Sequence, residues 1–89
     1  MKHLNIRVSG KVQGVFFRAT TKEQADGLGL KGFVRNEPTG EVYIEVEGKA
    51  DALELFLEWV AHGPERARVD YFESQQDVIR NFTAFEMRR

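Results

Sequence analysis

The amino-acid sequence predicts an α+β fold in which two helices cover one face of a mainly antiparallel sheet. Several short segments alternate apolar and polar residues with the period of a strand, and two longer segments carry apolar residues at helical spacing. The chain has 89 residues, of which 42% are hydrophobic, which is enough apolar material for one core. We therefore expect residues 1–89 to form a single domain.

The first three predicted elements are a strand, a helix and a second strand. Apolar side chains occupy alternate positions of residues 4–8, and this strand is expected to end at Ser9–Gly10. Helix formers dominate residues 18–27, and the glycine at 27 together with Gly29 ends that helix. Residues 31–35 then form the second strand.

The next predicted elements are the second arm of a hairpin and a second helix. Turn-forming residues at 37–40 precede residues 41–47, which alternate again and pair with the second strand. Asp51, followed three positions later by Glu54, resembles a capping box at the start of a helix. The sequence His62-Gly63-Pro64 ends this helix.

Two further alternating segments, residues 66–73 and 82–87, complete the predicted sheet, with a polar connection over residues 74–81. The order is strand, helix, strand, strand, helix, strand, with an extra strand at the C-terminus. This is the plan of the ferredoxin-like split βαβ sandwich. Because this fold supports enzymes, regulatory modules and RNA-binding domains, the function has to be argued from a site.

The composition argues against several classes of protein. Thirteen basic and fourteen acidic side chains give a formal net charge of −1, so no overall field attracts nucleic acid or an anionic membrane. There are no cysteines, and no apolar run approaches the ~20 residues of a membrane span. We expect a cytoplasmic monomer that binds neither nucleic acid nor a membrane.

Two groups of polar side chains, the histidines and the glutamates of one strand, are not expected to take part in function. His3 lies at an outward strand position and His62 at a helix end, and we expect neither to bind a metal. Glu41, Glu45 and Glu47 occupy alternate positions of one strand and are predicted to form its solvated side.

Residues 13–18, between the first strand and the first helix, are suited to binding an anion. Gly14 permits backbone conformations that turn amide groups inward, and the helix adds its unpaired N-terminal amides. Arg18 offers a planar pair of donors to phosphate oxygens. The alternative is an ordinary strand-to-helix turn with a solvent-facing arginine. Of Phe16 and Phe17, one is expected to anchor the loop on the core and the other to line the site, in an order that the sequence leaves open.

Asn36 ends the second strand, just before the hairpin turn. Asparagine in such a position is usually only a turn former. Its carboxamide offers both a donor and an acceptor, so the alternative is that it holds a water molecule beside a phosphate bound by the first loop.

Two stretches together resemble the signatures of the acylphosphatase family, and the resemblance extends over essentially the whole chain. They are GKVQGVFFR, residues 10–18, and GFVRNEPTGEVYIEVEG, residues 32–48. The resemblance implies hydrolysis of a small acyl phosphate, a carboxyl–phosphate anhydride, without a metal or another cofactor. It implies catalytic roles for Arg18, which binds the phosphate, and for Asn36, which orients the attacking water. It also implies a phosphate-binding loop made of Gln13, Gly14, Val15, Phe16, Phe17 and Arg18.

The competing prediction is a non-catalytic module of the same fold that binds acyl phosphates without turning them over. A second alternative, an RNA-recognition domain, is suggested by Lys31-Gly32-Phe33, which is similar to the start of an RNP1 motif. That motif belongs on the third strand with further aromatic residues, whereas here it lies on the second strand and Val34, Arg35 and Asn36 follow it. The sequence therefore disfavours RNA recognition.

Overall fold

The computed structural model describes residues 1–89 and contains a five-stranded sheet with two helices packed on one face. The strands are β1 (Lys2–Lys11), β2 (Lys31–Asn36), β3 (Val42–Gly48), β4 (Arg68–Asp77) and β5 (Phe85–Met87), and the helices are α1 (Phe17–Gly27) and α2 (Ala50–His62). The strand order is β4-β1-β3-β2-β5, with β5 parallel to β2 and all other pairs antiparallel. The predicted fold class and the extra C-terminal strand are confirmed. Neither helix is long and apolar enough to cross a membrane.

Strand β3 determines which loops lie together. It pairs antiparallel with β1 on one side and with β2 on the other, so β1 and β2 run in the same direction. Strand β5 is parallel to β2 and shares that direction. The C-terminal ends of β1, β2 and β5 consequently lie at one edge of the sheet, which places the loop after β1 close to Asn36 and to the C-terminal residues.

The core lies between the helices and the sheet face that carries alternate apolar residues. Ile6 of β1 and Ile44 of β3 are fully buried there, as are Phe56 and Val60 of α2. Fifteen buried apolar residues form one cluster. Both helices bury their apolar side chains in this core, and this burial fixes them against the sheet.

Part of the second signature is explained by packing. Gly32 has φ 146°, in the region that favours glycine, and a Cβ at this position would overlap the carbonyl oxygen of Glu45 on β3. A Cβ on Gly48 would likewise overlap the side chain of Leu30. These two glycines therefore allow close packing of the sheet rather than taking part in chemistry.

The predicted boundaries of β1, β4 and β5 are wrong. Strand β1 continues beyond Ser9–Gly10 to Lys11, with an irregularity in its pairing at that point, and β5 is confined to Phe85–Met87 instead of residues 82–87. Strand β4 begins at Arg68 and extends to Asp77. Its polar residues 74–77 were predicted to form a connection, but their backbone pairs with β1, and this pairing depends on backbone groups rather than on side-chain polarity.

The predicted capping box of α2 is absent. The N-cap residue is Lys49, and no side chain caps the helix. Asp51 lies one position inside the helix start, where its Oδ1 accepts a hydrogen bond of 2.9 Å from the N–H of Ala52. Its carboxylate still lies in the first turn, where negative charge is favourable.

The prediction that His3, Glu45 and Glu47 face solvent is also wrong, because all three are buried on the sheet face opposite the helices. Residues 78–84, the connection between β4 and β5, lie against this face and are termed the strap. The ring of Phe82 in the strap stacks on His3 with centroids 6.0 Å apart. The alternation of apolar and polar residues correctly placed these side chains on the sheet face opposite the helices, which we call the second face. The alternation does not show that a connection covers this face.

Glu47 joins the strap to the sheet. Its carboxylate accepts a hydrogen bond from the His3 ring (2.7 Å), from the N–H of Phe82 (3.0 Å) and from the N–H of Arg80. Burial alone would raise the pKa of Glu47, but the hydrogen bonds from Arg80, His3 and Phe82, together with the charge of His3, lower it below the usual 4.5. The other nitrogen of the His3 ring faces the Oδ1 of Asn5 at 2.7 Å, so His3 connects Glu47 to β1.

The Glu47 contact predicts an acid dependence of stability. Because the folded state lowers this pKa, the stabilisation is complete above the ordinary value of 4.5 and is lost as the pH falls through the folded value. Urea unfolding as a function of pH should show a steeper loss of stability below pH 4.5 for the wild type than for Glu47→Gln.

At neutral pH, Glu47→Gln should lower the free energy of unfolding by about 1.5–3 kcal/mol, the usual cost of removing a hydrogen bond to a charged group. Glu58→Gln, on the exposed side of α2, is the matched control and should change stability little. Equal effects of the two substitutions would contradict the role assigned to Glu47.

Candidate active site

The edge where β1, β2 and β5 end contains a pocket of about 300 Å³. The loop after β1, the first turn of α1, the end of β2 and the end of β5 all contribute to it. Its lining residues are Val12, Gly14, Phe16, Phe17, Arg18, Ala19, Asn36 and Met87. The structure thus brings Arg18 and Asn36, the two predicted catalytic residues, into one pocket.

The loop leaves its backbone donors free. None of the amide N–H groups of residues 13–16 donates a hydrogen bond within the chain. Gly14 has φ 73°, and no atom lies within 4 Å of the position that a Cβ would occupy. The free amides lie next to the N-terminus of α1, which adds its own unpaired donors and a partial positive charge. This combination suits a phosphate or a similar oxyanion.

Arg18 is held from one side only. One of its terminal nitrogens donates a hydrogen bond of 2.7 Å to the main-chain carbonyl of Arg88, and the guanidinium makes no other hydrogen bond within the chain. The remaining N–H groups are available to a ligand. A guanidinium fixed in this way can bind two oxygens of a phosphate side by side.

Arg88 is itself well anchored. Its backbone N–H donates to the carbonyl of Val34 on β2 at 2.8 Å, and its guanidinium lies over the ring of Phe33, 4.1 Å from the centroid. Sequence reasoning missed this residue as well as Met87. For Arg88 no sequence signal exists, because the group that contacts Arg18 is a main-chain carbonyl.

Asn36 is the last residue of β2 and pairs with Val42 across the hairpin. Its side-chain Oδ1 is buried and accepts no hydrogen bond within the chain. A buried acceptor without a partner is costly, and such atoms are usually satisfied by water or a ligand. Asn36 thus lines the pocket and carries an acceptor that no group in the chain satisfies.

Gln13 was predicted to bind phosphate as part of the loop, but its side chain has other partners. The side-chain amide nitrogen donates to the carbonyls of Glu37 (2.8 Å) and Glu41 (2.9 Å), at the two ends of the hairpin turn. The side chain thus ties the loop after β1 to the hairpin that carries Asn36. Only the backbone N–H of Gln13 is free for an anion.

The structure distinguishes the two phenylalanines. Phe17 is 2% exposed and packs in the core, with its ring 5.6 Å from that of Trp59, and Val15 is buried beside it. Phe16 is 72% exposed at the rim of the pocket. Both line the pocket, but Phe17 anchors the loop in the core and Phe16 presents its ring at the rim.

A larger cavity, of about 430 Å³, lies on the sheet face opposite the helices. Its walls include Arg7, Tyr43 and Glu73, and Arg7 faces the carboxylate of Glu41 at 3.6 Å. Arg7 is the only basic residue in this lining, and the nearby carboxylates of Glu41 and Glu73 offset its positive charge. The smaller pocket is better suited to an anion, because Arg18 is its only charged lining residue.

The fold and the pocket define a small α+β protein with a loop of free backbone amides between its first strand and first helix. A family model described as acylphosphatase matches residues 4–87. An acylphosphatase of Marinobacter nauticus is 48% identical over 91% of this chain and 89% of its own length. The chain belongs to the acylphosphatase family, as the sequence motifs predicted.

Solved structures agree with this assignment. The crystal structure of acylphosphatase from Bacillus subtilis matches with a TM-score of 0.97 and 32% identity, covering 100% of both chains. Full-length HypF, crystallised in a phosphate- and nucleotide-bound form, matches with a TM-score of 0.88 and 26% identity, and the match covers 99% of this chain but 12% of HypF. The same fold thus also occurs as part of a longer protein.

The hydrogen bonds of Gln13 predict a structural effect at the site. Gln13→Ala removes both bonds between the loop and the hairpin, and should lower the free energy of unfolding by about 1–2 kcal/mol in urea denaturation. Phosphate binding should weaken as well, because the loop loses its connection to the hairpin. The matched control is Gln24→Ala on α1, whose side chain makes no hydrogen bond. If Gln13→Ala were as stable as this control, the connection would be unimportant.

Proposed function

We propose that this protein hydrolyses acyl phosphates by direct attack of water on phosphorus. Water adds to the phosphorus, the bond between phosphorus and the acyl oxygen breaks, and the products are a carboxylate and inorganic phosphate. The observation that carries the proposal is the presence of Arg18 and Asn36 in one pocket, beside four free backbone amides. Membership of the acylphosphatase family supports the same activity.

In this proposal, Arg18 and the loop bind the phosphoryl group. The amides of residues 13–16 and the free edge of the Arg18 guanidinium meet the oxygens on which negative charge accumulates in the transition state. The carbonyl of Arg88 holds the guanidinium in place before the substrate arrives. Little reorganisation is then needed during the reaction, which is the condition for effective electrostatic stabilisation.

Asn36 orients the water. Its buried Oδ1 has no partner in the chain, so it can accept a hydrogen bond from the water and direct a lone pair of the water oxygen at phosphorus. Asn36 is not basic, and no carboxylate or histidine lines the pocket. The phosphoryl oxygens accept the proton that the water gives up, and the carboxylate leaving group needs no proton because its pKa is low.

Three further expectations accompany this activity. The substrate is a small molecule, and the charge of −1 offers no general attraction to nucleic acid or membranes. We expect a monomer, because the large exposed apolar side chains Leu55, Tyr71 and Val78 belong to different parts of the fold. The reducing cytoplasm is compatible with a chain that lacks cysteine.

The catalytic roles predict large losses of turnover. With benzoyl phosphate as the substrate and a chelator present, Arg18→Gln and Asn36→Ala should each lower the rate at least about a hundredfold, the scale of removing one preorganised hydrogen-bonding group. Arg66→Gln is the control, because Arg66 is exposed and does not line the pocket. Wild-type hydrolysis no faster than the buffer blank would contradict the enzyme and favour the non-catalytic module.

Inhibition by inorganic phosphate should separate the two roles. Arg18→Gln loses a group that contacts the phosphoryl oxygens, so phosphate inhibition should disappear at concentrations that inhibit the wild type. Asn36→Ala should retain that inhibition, because Asn36 contacts the water and not the phosphoryl group. Loss of phosphate binding in Asn36→Ala would show that it belongs to the phosphate site instead.

A further inference from the structure

Phe16 presents an aromatic ring at the rim of the active-site pocket without any packing role. Its side chain is 72% exposed. It does not belong to the apolar core or to any pair of stacked aromatic rings. The neighbouring Phe17 already anchors the loop, so the fold does not require a second aromatic residue there.

The backbone at Phe16 makes this choice of residue more unusual. The residue has φ 61° and ψ 22°, in the left-handed region that glycine tolerates and bulky side chains rarely adopt. Strained residues of this kind are concentrated at functional sites. A phenylalanine that is both strained and exposed next to Arg18 therefore points to contact with a ligand.

Met87, at the end of β5, lines the same pocket and is 50% exposed. Phe16 and Met87 are the two large apolar side chains of the site that are exposed. The other apolar lining residues are Val12, Phe17 and Ala19, so five of the eight lining residues are apolar. Arg18 is the only charged lining residue, and in the proposed function it binds the phosphoryl group.

We propose that Phe16 and Met87 form a subsite for the acyl group and that the preferred substrates carry an apolar, aromatic acyl group. This inference rests on the proposed function, because the acyl group is bonded directly to the phosphoryl group and must lie against the same pocket. An aromatic acyl group gains ring contact with Phe16 and contact with the polarisable sulfur of Met87. An acyl group with a second negative charge meets no further cation there.

The test compares kcat/KM for benzoyl phosphate and acetyl phosphate. Phe16→Ala should lower the benzoyl-to-acetyl ratio about tenfold, the scale of one lost aromatic contact, and Met87→Ala should lower it in the same direction. The change should be mainly in the KM for benzoyl phosphate, because the acyl contacts are made in both ground and transition states. The control is Tyr71→Ala, which removes an aromatic ring that is 60% exposed on β4. Ratios within about twofold of wild type in both pocket variants would overturn the subsite.

A second variant, measured for both selectivity and thermal stability, distinguishes lost contact from misfolding. Phe16→Gly should show the same loss of selectivity with a thermal midpoint no lower than that of the wild type, because glycine tolerates the left-handed backbone. This outcome would exclude misfolding as the cause. A lower midpoint together with unchanged selectivity would instead make Phe16 a structural residue and overturn the proposal.

Binding of non-hydrolysable analogues separates the subsite from the catalytic claim. Benzoylphosphonate should bind the wild type more tightly than acetylphosphonate, and Phe16→Ala should remove the difference. If this difference were found with an inactive wild type, the subsite would stand and the proposed hydrolysis would fail. If both analogues bound equally to an active wild type, the hydrolysis would stand and the subsite would fail.

Discussion

The pairing of β3 with both β1 and β2 is the constraint on which the site depends. Two antiparallel pairings make β1 and β2 run in the same direction, and the loop after β1 and the asparagine at the end of β2 then meet at one edge. The two motifs are separated in the chain by α1, so no local structure could bring them together. Gly32 permits the close approach of β2 to β3 that this pairing requires.

The second face of the sheet supports the same edge. Glu47 accepts hydrogen bonds from the strap, and the strap leads into β5. Strand β5 ends at Met87, and the carbonyl of the next residue, Arg88, holds Arg18. A buried ionic cluster is weak evidence for extra stability, because desolvation offsets much of its attraction. Its clearer consequence is geometric, since it fixes where the strap crosses the sheet and so where the C-terminal residues lie.

Periodicity was sufficient for the element order and the core face of the sheet. The resemblance to the two family motifs was sufficient to predict that Arg18 and Asn36 lie together, and both line one pocket. The sequence was not sufficient for Glu47, because a polar residue on the second face looks the same whether solvent or a strap covers it. Which of Phe16 and Phe17 is buried was not predictable either, because two adjacent residues of the same type give no signal. The backbone at Phe16 is left-handed, and the residue type does not encode this conformation. The contact with Arg88 uses a main-chain carbonyl, which every residue has.

Hydrolysis in water enriched in oxygen-18 tests the central claim, attack of water on the phosphorus of an acyl phosphate bound by Arg18, most directly. With benzoyl phosphate in a single turnover, the mechanism predicts one labelled oxygen in the inorganic phosphate and none in the benzoate, because the bond between phosphorus and the acyl oxygen breaks. Label in the benzoate would show that water attacks the carbonyl carbon, and it would contradict the roles assigned to both Arg18 and Asn36.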